Sequence, residues 1–373
     1  MLPLMLPLNW QRVRLGDIGK PCMCKRVMKH QTTRYGEIPF YKIGTFGNTA
    51  DAFISKKLFL EYKTKYSFPK KGDILISASG TIGRAVIYDG KPAYFQDSNI
   101  VWIDNDETLV KNDFLFYAYS NVKWNTEHTT ILRLYNDNFR NTLIPLPPLN
   151  EQSAIANILS DLDRYLYALD ALILKKEGVK KALSFELLSQ RKRLKGFNQA
   201  WQRVRLGDIA NYLTSNLSVE QITQQGKIKV YDVNNFIGYT DTTFISDKPY
   251  ISIVKDGSVG RVRILPPKTN ILSTMGALIA NHRTTTEFLF YLLSNFDFKN
   301  FTSGSIIPHI YFKDYKEKTI FLPPLNEQIA IANILSGLDN EIASLKNKKR
   351  QFENIKKALN HDLMSAKIRV LEK

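Results

Sequence analysis

Apolar and polar positions follow two different periodicities along this chain. Short β-branched or aromatic runs bounded by Gly, Asp and Lys predict strands at Ile38–Ile43, Asp73–Ser77 and Ala85–Tyr88. From about residue 150, apolar residues recur every three or four positions, which predicts a long amphipathic helix. The second half of the chain repeats this order, from a strand pattern to a helix pattern.

Two anchor segments are repeated without a change. Trp10–Ile18 returns as Trp201–Ile209, and Leu146–Gln152 returns as Leu322–Gln328. The segments between the anchors diverge strongly, although short matches keep the same order in both copies. The chain therefore carries two versions of one module, with a constant frame around variable inserts.

Three features inside the modules recur or change between the copies. Gly80–Arg84 is matched by Gly257–Arg261, either as a hairpin turn or as a cradle of backbone amides for phosphate. Phe114–Tyr117 and Phe288–Tyr291 predict one short amphipathic helix in each copy. The second copy is shorter, mainly opposite Phe46–Gly80, and we expect this difference to be loop variation.

Each module ends in Leu-Pro-Pro-Leu-Asn-Glu-Gln, followed by a predicted helix. Asn150 and Asn326 are the expected N-caps, with Glu151 and Glu327 in the first turn, where the helix dipole favours an acid. The apolar spacing alternates between four and three, as in a coiled-coil seam. The predicted helix-pairing residues are Ile155, Leu159, Leu162, Leu166, Leu169, Ile173, Leu183 and Leu187, and then Ile331, Leu335, Leu338, Ile342, Leu345, Phe352, Leu359 and Leu363.

The two predicted helices share one phase, which favours mutual pairing over packing on a globular core, the alternative. Lys176, Lys180, Lys349 and Lys356 interrupt the seam, so we expect an imperfect zipper. The module between the helices returns the chain, which predicts an antiparallel pair about 60 Å long. The predicted fold class is α+β, with two tandem β-rich domains joined by two long antiparallel coiled-coil helices in a pseudo-two-fold arrangement.

The anchors also set the predicted domain boundaries. We place the β-rich domains at residues 1–148 and 196–324, and the helical regions at residues 149–195 and 325–373.

The charge balance narrows the class of partner. The 373 residues include 52 Lys and Arg but only 35 Asp and Glu. The resulting net charge of +17 favours nucleic acid as the partner. A membrane partner would need a basic amphipathic anchor or a lipidation site, and the sequence has neither. The apolar segment Met1–Leu8 lacks the basic start of a signal peptide, and Cys22 and Cys24 are spaced as free thiols. These features predict a cytoplasmic protein.

The sequence lacks the usual catalytic motifs. It has no Gly-x-Gly-x-x-Gly after a strand, no phosphate loop, no Gly-x-Ser-x-Gly elbow and no His-Glu-x-x-His. The histidines do not pair with carboxylates at metal spacing; they are His30, His128, His282, His309 and His361. We therefore predict no catalytic residue, no metal site and no resident cofactor.

The duplicated anchors resemble the specificity subunit of type I restriction-modification systems. The resemblance rests on Trp-Gln-x-Val-x-Leu-Gly-Asp-Ile opening each module, Gly-Thr-Ile-Gly-Arg within it, and Pro145–Ala156 with its partial copy Leu322–Ala332. It covers nearly the whole chain. It implies two target-recognition domains joined by two conserved helices, with Trp10–Pro145 reading one half of a split DNA site and Trp201–Phe321 reading the other.

The resemblance also implies an assembly. The helices would set the spacer between half-sites and dock two methyltransferase (M) subunits, and restriction (R) motor-nuclease subunits would join the full complex. The chain itself would be non-catalytic, so S-adenosylmethionine, ATP and magnesium would belong to the partner subunits. The expected partners are double-stranded DNA and these subunits, with no membrane.

Base reading requires polar and basic side chains on loops, while phosphate contacts supply affinity. Each candidate is also compatible with an ordinary solvated side chain. The first module offers Lys25, Arg26, Arg34, Lys42, Lys70, Lys71, Arg84, Arg133, Tyr135, Asn136 and Asn138, and the second offers Lys227, Lys229, Asn234, Asn235, Arg261, Asn281, Arg283, His309 and Tyr311.

Two other functions remain open. A stand-alone methyltransferase-nuclease would need the motifs that the sequence lacks. A DNA-binding regulator with a coiled-coil dimeriser would be expected to carry one reading domain per chain, and this chain carries two. The repeated anchors also suggest recombination that exchanges modules, if the identity extends to the gene.

Overall fold

The fold is described from a computed structural model, which covers residues 7–128 and 132–370. The chain divides into two compact units. One unit combines the chain up to Leu169 with the segment from Lys348 onward, and the other is Asp170–Asn347. Residues 1–6 of the first predicted domain and residues 371–373 of the last predicted helical region lie outside the described residues. The domain boundaries stay a prediction. No described helix is both long enough and apolar enough to span a membrane.

The first unit contains a module of strands and short helices, and one of the two long helices begins there. Its described strands are β1 Gln11–Arg14, β2 Gly19–Met23, β3 Ile38–Tyr41, β4 Phe53–Ile54, β5 Ile74–Ser77, β6 Ala85–Ile87, β7 Tyr94–Phe95, β8 Ile100–Asn105, β9 Glu127–His128, β10 Leu132–Arg133 and β11 Leu143–Leu146. Its helices are α1 Leu15–Ile18, α2 Lys56–Lys65, α3 Asn112–Tyr119, α4 Asn136–Asn141 and α5 Leu149–Leu188, with a 3-10 turn at Lys29–Gln31.

The main sheet has the order β2-β8-β5-β6, and a smaller sheet has the order β4-β3-β7. Strand β5 is buried on both faces, which explains its continuous apolar run. Because successive side chains of a strand point to opposite faces, Ile74 and Ile76 join a core with helix α3 and the start of α5, whereas Leu75 joins a second core with Phe40 and Tyr94.

The second unit repeats this plan. Its strands are β12 Gln202–Arg205, β13 Ala210–Thr214, β14 Ile228–Tyr231, β15 Phe236–Thr240, β16 Tyr250–Val254, β17 Val262–Leu265, β18 Thr269–Ile271, β19 Met275–Ala280, β20 Thr302–Ser303, β21 His309–Ile310 and β22 Thr319–Leu322. Its helices are α6 Thr286–Ser294, α7 Phe312–Tyr315 and the start of α8 Leu325–Met364, with 3-10 turns at Leu206–Asp208, Val219–Gln221 and Lys299–Phe301. The sheet orders β13-β19-β16-β17 and β15-β14-β18 match those of the first unit.

The structure agrees with the predicted strands and short helices but changes the expectation about the length difference between the two copies. The extra length of the first copy contains helix α2, which begins after Ser55, whose hydroxyl accepts a hydrogen bond from the Leu58 amide at 3.2 Å. Between β15 and β16, the described chain has no helix. The length difference is therefore a helix rather than loop variation alone.

The predicted N-caps are wrong by about two residues. Helices α5 and α8 begin at Leu149 and Leu325, so Asn150 and Asn326 lie within the first turn. The helical hydrogen bonds already start at proline, since the Gln152 amide donates to the Pro148 carbonyl at 2.9 Å. Proline suits this position because it has no N–H to leave unpaired.

The long helices pair antiparallel within each unit. In the first unit, Lys356 of α8 binds Asp163 of α5, and the Phe352 ring lies 4.7 Å from the Tyr165 ring between centroids. As the residue number rises along α5, the partner's number falls along α8.

The second unit repeats this antiparallel pairing. There, Lys176 Nζ donates to Glu341 Oε2 at 2.9 Å, and Lys180 binds Asp339. These lysines, expected only to interrupt the seam, form ion pairs between the helices.

All predicted seam residues are buried or half-buried. Residues near the helix ends also pack on the modules. Ile155 and Leu159 share the core of the first module with Leu363, and Ile331 and Leu335 share that of the second module with Leu187. Both interpretations of the seam thus hold for parts of it, because the helix ends pack on a globular core. The pairing role of each single residue stays a prediction.

Candidate nucleic-acid interface

The unchanged anchors close each module at the end where its chain enters the long helix, which we call the base of the module. Strand β1 pairs with β11, with Gln11 opposite Leu146, and β12 pairs with β22 in the same register. The Trp10 indole Nε1 donates to Glu151 Oε2 at 2.9 Å, and Trp201 donates to Glu327 at the same distance. Because these bonds are buried, changing either partner would leave an unpaired polar group. This requirement explains the constant anchors.

The glutamine of each anchor fixes a short helix. The Gln152 side chain accepts from the Lys111 amide at 2.8 Å and donates to the Leu109 carbonyl at 3.1 Å, just before α3. Gln328 accepts from the Thr285 amide at 3.1 Å, just before α6. Both glutamines are fully buried and bonded, so each ties the start of a long helix to the module core.

A tyrosine, an aspartate and a lysine form a third repeated contact, which sequence reasoning missed. The Tyr117 hydroxyl donates to Asp163 at 2.8 Å, and the Tyr291 hydroxyl donates to Asp339 at 2.9 Å. Burial, followed by the hydrogen bond to aspartate, raises the pKa of both tyrosines. Each hydroxyl therefore stays neutral and donating. The available signal was that each tyrosine ends the repeated Phe-Leu-Phe-Tyr and that each aspartate lies 12 residues after the anchor glutamate, Asp163 after Glu151 and Asp339 after Glu327.

The repeated Gly-x-x-Gly-Arg segments are hairpin turns. Each joins two antiparallel strands, β5 to β6 and β16 to β17. All four glycines have φ between 67° and 84°, a conformation that glycine adopts without strain. The Gly83 amide donates back to the Ser77 carbonyl at 2.9 Å, and the Gly260 amide donates to Val254 at 2.9 Å. The hairpin interpretation agrees with this geometry, and the phosphate cradle stays a prediction.

The arginine of each turn reaches the loop after the third strand of its module. Arg84 Nη1 donates to the Phe46 carbonyl at 2.9 Å. Arg261 Nη2 donates to Asn234 Oδ1 at 2.9 Å. The structure thus brings two predicted DNA contacts, Arg261 and Asn234, together beside a turn.

A further segment joins each turn from the end of the module. The Leu134 amide donates to the Ala78 carbonyl at 2.9 Å, and the Ile310 amide donates to the Lys255 carbonyl at 2.9 Å. Consequently, the residues just before these two, Arg133 and His309, occupy equivalent places next to the turns.

The chemistry at this shared place differs between the modules. The backbone of Arg133 forms an isolated antiparallel β-bridge with Ser79, and its guanidinium lies 3.5 Å from Asn99 Oδ1. The backbone of His309 forms the equivalent β-bridge with Asp256, and the His309 Nδ1 lies 2.7 Å from the Asp256 carboxylate. A constant frame therefore presents a different hydrogen-bonding group in each copy, as sequence readers require.

Other candidates lie close to these positions. In the first module, Tyr135, Asn136 and Asn138 follow Arg133 at the start of α4. In the second, the exposed Tyr311 ring stacks on the His309 ring with centroids 6.5 Å apart. Asn235 continues the loop that holds Asn234, and Lys42 follows β3, where it pairs with Asp51 at 2.8 Å.

The remaining candidates lie elsewhere. Lys70 and Lys71 precede β5, at the end of that strand opposite the turn. Asn281 and Arg283 lie at the base of the second module, where the Arg283 side chain donates to Gln202 at 3.1 Å. The last group comprises Lys25 on the Tyr66 ring, Arg26 with Asp97, Arg34 on the Tyr35 ring, and the exposed Lys227 and Lys229 beside or within β14. The DNA-contact role of every candidate stays a prediction.

The described residues also define the cysteine chemistry. Cys22 and Cys24 are free thiols, and burial raises the pKa of Cys24 to about 12, so this thiol stays protonated. Across residues 7–128 and 132–370, no group of three or more His, Cys, Asp and Glu side chains is arranged to hold a metal ion.

Two equivalent frames, each presenting a variable surface, define a duplicated recognition protein. The family described as "Type I restriction modification DNA specificity domain" matches residues 7–176 and 198–354. The chain therefore belongs to the type I restriction-modification specificity family.

Relatives of known description agree. A putative type I restriction enzyme specificity subunit of Haemophilus influenzae is 62% identical over 152 residues, which is 40% of each chain. The type I restriction enzyme MjaVIII specificity subunit of Methanocaldococcus jannaschii is 26% identical over 98% of this chain and 95% of that protein.

Solved structures show the shared fold. The S subunit of a type I restriction-modification system from M. genitalium superposes with a TM-score of 0.63 at 21% identity, covering 98% of this chain and 99% of that one. A chain from a study of complex assembly and conformational transition of the type I R-M system has a TM-score of 0.58 at 16% identity, covering 97% of this chain and 99% of that one.

Proposed function

We propose that this chain is the DNA-specificity subunit of a type I restriction-modification complex, in which each module reads one half of a bipartite site. The observation that carries this proposal is the pair Arg133 and His309, two different side chains at one place on a repeated frame. A single-site regulator has no need of two diverged readers, and a scaffold has no need of divergence at this place.

The two side chains suit different base edges. Arg133 offers guanidinium donors, which match the two acceptors that guanine presents in the major groove. The Asp256 carboxylate holds His309 through Nδ1, which leaves Nε2 to meet a base edge. The excess of positive charge supplies phosphate contacts that do not depend on sequence.

The assembly follows from the same family membership. We propose that two methyltransferase subunits dock on the helical regions, where Lys175 and Lys181 are exposed, and that restriction subunits join them. The chain itself is non-catalytic in this proposal, and S-adenosylmethionine, ATP and magnesium are bound by the partners. The complex would work in the cytoplasm, where its DNA lies.

Exchange of one module tests this function. Residues 19–145 are replaced by the corresponding segment of a relative, and the methylated motif of the host genome is sequenced. We expect one half of the motif to change and the other half to persist, because each module reads alone. A strain lacking the chain is the control and should lose the motif. A change in both halves, or in neither, would contradict modular reading.

A further inference from the structure

The segments that follow the two long helices fold alike, although their sequences differ outside a shared Ser-x-x-x-Arg. The Ser189 amide donates to the Phe185 carbonyl at 3.1 Å, and the Ser365 amide donates to the His361 carbonyl at 3.0 Å. The next residue turns into the left-handed region in both cases, with φ of 63° at Gln190 and 57° at Ala366. Each helix therefore ends in the same turn, which directs the following residues to the same place.

That place is the base of a module. Arg193 Nη2 donates to Glu327 Oε2 at 2.6 Å, and its Nε donates to Oε1 at 3.2 Å. Arg369 Nε donates to Glu151 Oε1 at 2.7 Å, and its Nη2 donates to Oε2 at 3.0 Å. Both contacts are bidentate, which fixes the orientation of the guanidinium as well as its distance from the carboxylate.

Each glutamate joins three segments of the chain. Glu151 stands in the first turn of α5, accepts from Trp10 at the start of the module, and accepts from Arg369 beyond the end of α8. The Glu151 side chain is 3% exposed, and that of Arg369 is 31% exposed. A buried carboxylate is costly unless it is paired, so the arginine is needed wherever the glutamate is buried.

We propose that Arg369 is a positioning residue for the first module and that Arg193 has this role for the second. Each arginine fixes the tryptophan-bearing start of its module against the first turn of the long helix. This inference rests on the proposed function, since it links the contact to half-site reading. Consequently, Arg369, near the end of the sequence, controls the first half-site, and Arg193, between the modules, controls the second.

The test compares Arg369→Met with Arg193→Met, each in the full-length chain expressed with its partner subunits. Sequencing of genomic methylation reports which bases each half-site requires. For Arg369→Met, we expect methylation at sites mismatched in the first half to rise roughly tenfold relative to matched sites, the scale of one lost base contact. The second half should stay fixed. Arg193→Met should give the reverse.

A double variant separates positioning from stability. Arg369→Met alone leaves a buried carboxylate without its cation, which lowers stability. Glu151→Gln combined with Arg369→Met removes that charge while keeping an oxygen for Trp10. We expect the double variant to recover the midpoint of unfolding and to keep the relaxed first half-site. If Arg369→Met yields no folded chain, the double variant decides.

Three outcomes would overturn the inference. They are relaxation of both halves or of the second half in Arg369→Met, an unchanged motif in a folded variant, and full selectivity in the double variant. The proposed function has a separate requirement: the complex with the unmodified chain must methylate a bipartite DNA motif. If that motif is missing, the proposed function fails, whatever the arginine variants do.

Discussion

Gly83 is the most constrained residue of the first Gly-x-x-Gly-Arg turn. Its φ is 81°, and a Cβ built on it would lie 2.1 Å from Trp124 Nε1. Gly80 in the same turn has φ of 67°, but a Cβ there would meet nothing closer than Ile43 at 3.9 Å. Both glycines have a positive φ that would strain an alanine, and they differ in available space, so they form a matched pair.

We predict that Gly83→Ala lowers the free energy of unfolding by about 2–5 kcal/mol, the sum of left-handed strain and overpacking. Gly80→Ala should cost about 1–2 kcal/mol, from strain alone. Urea unfolding of the full-length chain measures both. Equal losses would mean that contact with Trp124 adds nothing. The sequence identified the turn, but the close approach of Trp124 depends on the tertiary structure.

At the scale of elements, the repeats and periodicities predicted several of the strands, one short helix in each module and the two long helices. The errors came where local signals were ambiguous. Asn150 looked like an N-cap, but the preceding proline already accepts the first helical hydrogen bond. Helix α2 has a mixed face that buries Phe59 alone, so its periodicity was too weak to predict it.

The long helices give a prediction about length. Each has 40 residues and begins in one unit and ends in the other. Deletion of residues 166–172 and 347–353 removes one heptad from both helices at facing positions. Seven residues correspond to about 10 Å of helix, or about three base pairs.

We therefore expect the methylated motif to keep both halves and to lose about three base pairs of spacer. Methylome sequencing measures the spacer. Deletion of residues 166–172 alone is the control, and it should disrupt assembly because the facing helix keeps its length. An unchanged spacer in the double deletion would contradict the role of the helices as a ruler.

At the scale of the molecule, buried tyrosines make the folded state sensitive to alkali. Burial is the main cause that raises the pKa of Tyr88 and of Tyr250 to about 12. The unfolded chain releases these protons near pH 10. Their contribution to stability is therefore complete below about pH 10 and is lost as the pH rises towards about 12.

Within this interval, we predict a loss of about 1.4 kcal/mol per pH unit for each such tyrosine. Urea midpoints below and within the interval measure the loss. Tyr250→Phe should reduce the slope, because it removes one of the titrating groups. Tyr167→Phe, at an exposed position of α5, is the control and should leave the slope unchanged. A slope that Tyr250→Phe does not alter would contradict this origin.

The sequence by itself determined that the protein has two modules, one frame and two paired long helices. These features are exact repeats, which a comparison of segments reveals at any separation, or short periodicities among residues close together in the chain. Only the tertiary structure decided that Arg133 and His309 share one place, and that Arg369 meets Glu151 across 218 positions of sequence. The physical reason is that both depend on contacts between distant segments, which no local pattern specifies.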